Sequence, residues 1–114
     1  MTVWFVSRHP GALEWMQRHG PAFDRHVEHL ALDDVQSGDW VVGTLPMQLA
    51  AQVCAKGAEY WHLVLHVPQP ARGQELSAQQ LHNLGATLQR FHVQPVGAGV
   101  LGGMAEAQRV PKRG

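Results

Sequence analysis

The sequence has little with which to cross-link, charge or embed itself. Cys54 is its lone cysteine, which excludes an internal disulfide and a cysteine-built zinc site and fits a reducing compartment. An excess of one charge is also missing. Nine Lys and Arg stand against nine Asp and Glu, so the bulk positive field behind non-specific nucleic-acid affinity is lacking. Duplex nucleic acid is therefore not an expected partner, although a compact phosphate ligand gripped by a few local groups stays open. No apolar run approaches the ~20 residues of a membrane span, and residues 1–6 carry neither a basic stretch nor an apolar one long enough for a signal peptide. A cytoplasmic chain with no membrane partner is expected.

What is present suffices for one small domain. At 114 residues the chain can bury a core but cannot divide catalysis and binding between domains, so a sizeable ligand site would need a second copy to complete it. Trp4, Phe5 and Val6 lack polar alternation, as in a strand covered on both faces. Residues 11–19 follow as a helix between Pro10 and Gly20. Residues 23–30 read as a short edge strand, and the turn signal Gln36-Ser37-Gly38-Asp39 leads into a strand over 40–44. A helix over 47–56, with Leu49, Ala50, Val53 and Cys54 as its stripe, ends at Gly57.

A strand over 60–67 stops at Pro68. Ser77 and Gln80 then have the spacing of a capping box, opening a helix whose buried face is Leu81, Leu84, Leu88 and Phe91. A final strand over 91–96 is the last expected element, and from Gly97 the stripe gives way to a flexible Gly-rich, basic tail over 97–114. This order defines an α/β fold: a single small Rossmann-like domain over 1–96, its mostly parallel sheet flanked by helices.

In such sheets ligands sit at the carboxyl ends of strands, beside helix N-termini. Those ends carry Ser7, Arg8 and His9, then Gly43, Thr44 and Leu45, then His66, with the loop of Arg72 and Gly73 arriving from the same edge. A guanidinium and helix-terminal N–H groups suit a phosphate oxygen, and an imidazole moves protons near neutral pH. In the plainer alternative, Ser7 caps a helix, Arg8 makes a surface ion pair and His9 sits in a turn. Thr44 likewise serves as a cap, and Arg72 lies in a solvated loop. Glu75 either orients Arg72 or favours the next helix N-terminus.

His62 and His66 share a strand face but lie roughly 13 Å apart, too far to hold one metal. His26 and His29 lack a partner at zinc spacing, so no metal site is expected. Arg18-His19-Gly20 matches the short string of histidine phosphatases but closes a helix instead of following the first strand, which excludes that reading. Gly85 and Thr87 leave shallow positions on the expected last helix. Trp15 and Trp61 suit either the core or an interface.

Three stretches taken together, V-S-R-H-P-G-A-L-E-W (6–15), G-D-W-V-V-G-T-L-P (38–46) and R-G-Q-E-L-S-A (72–78), resemble a small CRISPR-associated family found with type III systems. Its members look like minimal versions of the CARF fold and act as ring nucleases, and the resemblance runs from about residue 3 to 96. It implies a homodimer that binds cyclic tetra-adenylate and cuts it by attack of a ribose 2′-hydroxyl on the adjacent phosphorus, without metal or other cofactor. On the strand-end argument, Arg8 then stabilises the phosphate and His9 transfers a proton or binds the leaving oxygen. Ser7 and Thr44 contact phosphate or 2′-hydroxyl, and Arg72 closes over the ring. Two other readings keep the fold: a module that sequesters the ring uncut, and an interaction subunit of a larger assembly.

Overall fold

A computed structural model describes residues 1–97 and 99–101; most of the expected tail over 97–114 therefore lies outside the described residues. The first strand, β1 (Val3–Val6), shows why its sequence lacks alternation. Val3 and Phe5 enter one core and Trp4 the other, so successive side chains, pointing to opposite faces, are apolar on both. The same division runs through β3 (Trp40–Gly43), where Val42 faces the first core and Val41 the second, and β4 (Glu59–Val64), where Leu63 and Tyr60 divide alike.

The chain runs β1, α1 (Pro10–His19), β2 (Arg25–Val27), β3, α2 (Met47–Ala55), β4, α3 (Ala78–Asn83), β5 (Thr87–Phe91). The strands lie in the order β2-β1-β3-β4-β5, with the first four parallel and β5 antiparallel to β4. Ala12, Trp15 and Met16 of α1 share one core with Ala78 and Leu81 of α3, whereas Ala50, Val53 and Cys54 of α2 fill the other. The result is a Rossmann-like three-layer α/β domain. Helices α1 and α2 serve crossovers that leave β1 and β3 in opposite directions across the sheet, and right-handed connections put such helices on opposite faces.

Three sequence expectations are corrected. The helix opened by Ser77 has its capping box, with Gln80 N donating to Ser77 Oγ and Ser77 N to Gln80 Oε1, but it ends at Asn83. Gly85, at φ +76°, turns the chain out of it, and Ala86 N donates to Leu81 O. Leu88 and Phe91 therefore belong to β5, and neither Gly85 nor Thr87 lies on a helix. The last strand covers Thr87–Phe91 instead of 91–96. Finally, β4 stops at Val64, so His66 follows the strand instead of closing it. The edge position expected for 23–30 is occupied by β2, which is three residues long and pairs only with β1.

Candidate functional site

The strand order reverses between β1 and β3, because one connection from β1 leads outward to β2 and the chain then returns to β3 on its other side. The connections leaving these two strands part there, and Val6 pairs with Gly43, the last residues of β1 and β3. A cavity of about 320 Å³ opens at this point, at the lower end of the range for small-molecule sites. Its floor is apolar, made by Phe5, Ala12, Leu63, Leu65 and Leu81, and its mouth carries Ser7, His9, Thr44, Arg72 and Glu75.

Of the residues expected from sequence, Ser7, His9, Gly43, Thr44, Arg72 and Gly73 line this one cavity. Arg8, Leu45 and His66 are not in its wall. Arg8 falls in the bend between Ser7 and His9, and His66 lies past the end of β4 between Leu65 and Val67, while the residues flanking each do line it. Both are exposed. Leu45 packs instead against the α2-side core, and its backbone N–H donates to Tyr60 Oη at 2.9 Å, which removes that amide from the set free for an anion.

Local hydrogen bonds hold these residues in place. Ser7 N donates to Val27 O at 3.0 Å and His26 Nε2 lies 2.8 Å from Ser7 O, so β2 fixes the backbone of Ser7 on both sides. His9 N donates to Ser7 Oγ at 3.1 Å. The hydroxyl thus accepts within its own turn and keeps its hydrogen for a ligand. Arg72 Nε donates to Val67 O at 3.3 Å, folding the guanidinium back over its own loop. Buried Tyr60 lies beneath the second strand end. Its Oη accepts from Leu45 N, contacts His62 Nδ1 at 2.6 Å and donates to Gly43 O at 3.2 Å. The phenol has one hydrogen, so where it goes to Gly43 O, His62 Nδ1 is the donor in the shorter contact. Burial pushes the Tyr60 phenol up from its ordinary range, with the Leu45 N–H opposing.

Glu75 is placed differently from either sequence expectation. Its carboxylate meets His9 instead of Arg72, with Oε2 and Oε1 at 3.0 and 3.1 Å from His9 Nδ1. Sixty-six positions separate the two, so no local spacing signals the pair. The sequence likewise marks Tyr60 only as the first residue of a strand; its hydroxyl gains meaning once β3 and β4 are neighbours. Among the described residues no three His, Cys, Asp or Glu side chains gather as a metal site, and no helix is long and apolar enough to cross a membrane.

Fold and site together define a class: a small Rossmann-like α/β domain with a polar-mouthed cavity at the switch point of its sheet. Within that class the chain belongs to the family described as "Putative CRISPR-associated protein (Cas_VVA1548)", whose model matches residues 4–94. That match includes both strand ends and the loop of Arg72. Among curated proteins and among solved structures no match was found.

Proposed function

We propose that this CRISPR-associated domain binds and cleaves cyclic tetra-adenylate, as a ring nuclease that ends type III antiviral signalling. The observation that carries the reading is the convergence of Ser7, His9, Thr44 and Arg72 on one cavity at the β1/β3 switch point. Its support is the combination of that placement with membership of a CRISPR-associated family and the resemblance of the three motif stretches to ring nucleases. An apolar floor takes an adenine or ribose face, and hydroxyl, imidazole and guanidinium groups at the rim meet the phosphodiester.

The reaction needs no outside nucleophile. The ribose 2′-oxygen attacks the adjacent phosphorus in line, the O2′–P bond forms and the P–O5′ bond breaks. A 2′,3′-cyclic phosphate and a 5′-hydroxyl remain. Holding the 2′-oxygen, phosphorus and leaving oxygen in line supplies much of the acceleration, and cations at the developing charge supply more. Arg72 is the cation within the cavity wall, Arg8 reaches phosphate from outside it, Ser7 and Thr44 donate to phosphate or 2′-hydroxyl oxygens, and His9 handles the proton. A cavity of about 320 Å³ is sized for one nucleotide unit rather than a four-nucleotide ring, so the ring lies across the two-fold axis of a homodimer, with one cavity on each side.

The test is incubation of the purified chain with cyclic tri-, tetra- and hexa-adenylate in excess chelator, with products identified by mass. Cleavage of the tetramer to linear fragments ending in cyclic phosphate is expected, and His9→Ala is expected to slow it by about 100-fold or more. Tight binding without cleavage would replace the proposal with sequestration. Absence of both would leave an interaction subunit.

A further inference from the structure

Glu75 has no role in the reaction just described, yet it meets His9 at the mouth of the cavity. Backbone packing brings it to His9. A Cβ at Gly11 would stand 1.8 Å from Leu76 O and 3.1 Å from Ser77 Cα, so the first turn of α1 lies directly on the segment that carries Glu75. Ala12 and Trp15 of α1 and Ala78 and Leu81 of α3 then bury in one core, which locks the two segments together behind the pair.

The His9 and Glu75 side chains remain 52% and 59% exposed. An ion pair this exposed adds little to stability, so its energetic value to the fold does not account for it. Its chemical effect is specific. An ionised carboxylate has no hydrogen to give, so His9 Nδ1 must be the donor, and in the neutral ring Nε2 is then the nitrogen with the lone pair.

We propose that Glu75 is a positioning residue: it holds His9 as the Nδ1–H tautomer and so makes Nε2 the base that takes the 2′-hydroxyl proton. The inference rests on the phosphodiester-cleaving reading of the cavity. As the O2′–P bond forms, the 2′-proton passes to Nε2. The imidazolium produced stays beside the Glu75 carboxylate, which stabilises its charge. The 5′-oxygen departs with a proton from water, and His9 later returns its own proton to solvent. The arrangement follows the general logic in which a third group fixes a catalytic imidazole's tautomer and orientation.

Two measurements on the full chain test it. The first needs no ligand: long-range proton–nitrogen NMR of the His9 ring, at a pH where it is neutral, is expected to show hydrogen on Nδ1 in the wild type and a shift toward Nε2–H in Glu75→Ala. The second is single-turnover cleavage of cyclic tetra-adenylate with affinity measured in parallel. Glu75→Ala is expected to lower the rate about 10- to 100-fold with affinity and melting temperature nearly unchanged, and Glu75→Asp to recover part of the loss. Wild-type His9 with its hydrogen on Nε2, or Glu75→Ala cleaving at the full rate, would overturn the proposal. A wild type that does not cleave would instead overturn the nuclease reading and the base role with it, while the ring spectrum still decides whether Glu75 sets the tautomer.

Discussion

Asp39 is the buried charged residue among the described side chains, 3% exposed at the start of β3. It lies at the amino-terminal end of the parallel strands, opposite the cavity. Burial alone would push its carboxyl up, but Gln36 N at 2.9 Å, Thr2 N at 2.9 Å and Trp4 Nε1 at 3.2 Å all donate to it and hold it below its ordinary value of 3.8. A carboxyl lowered by folding contributes stability above its unfolded value and loses that contribution as pH falls through its folded one. Asp39→Ala strands three donors and is expected to cost roughly 3 kcal/mol at neutral pH. Denaturant titrations at several pH values should show the gap between wild type and Asp39→Asn narrowing below pH 3.8. Tyr60 does comparable work at the carboxyl end of β3, where one hydroxyl ties Gly43, Leu45 and His62 together.

Among the elements, the junction of α1 with the start of α3 decides the shape of the cavity. Gly11 is required there by contact rather than by backbone angle, since any side chain would drive into Leu76 O. Gly11→Ala is expected to cost at least about 2 kcal/mol through overpacking. It should also separate His9 from Glu75, so cleavage should fall further than in Glu75→Ala; chemical denaturation and the single-turnover assay check the two effects separately. The turn at Gly85 decides the other side of α3. The stripe Leu81, Leu84, Leu88, Phe91 fits a helix throughout, but the glycine that ends it was present in the sequence as a cap signal. Pairing of 87–91 with β4 then uses Leu88 as a strand residue packed on the same core.

For the whole molecule, the parallel order β2-β1-β3-β4 places two strand ends and one loop, distant in sequence, around a single opening. If two such openings share one ring ligand across a two-fold axis, calorimetry should return one cyclic tetra-adenylate per two chains. Sedimentation should show a dimer that the ligand tightens, and melting should rise by the linkage relation, about 2.7 kcal/mol of added stability at a hundredfold excess over Kd. Linear tetra-adenylate, lacking the closed symmetry, should raise it less. A stoichiometry of one ring per chain would contradict the shared site.

The sequence by itself determined the α/β class, the strands buried on both faces, the capped start of α3 and the set of strand-end groups from which the cavity draws Ser7, His9, Gly43, Thr44, Arg72 and Gly73. These follow from local physics: apolar periodicity, helix punctuation and the rule that parallel sheets collect ligands at carboxyl ends. Tertiary structure alone decided which side chains enter the cavity. The bend after β1 left Arg8 out of its wall and the chain beyond β4 left His66 out of it, the Tyr60 hydroxyl claimed the Leu45 amide, and close backbone contact at Gly11 set Glu75 against His9. The last two depend on a neighbour brought near by sheet order or helix packing, and neither is encoded in the spacing of the residues concerned.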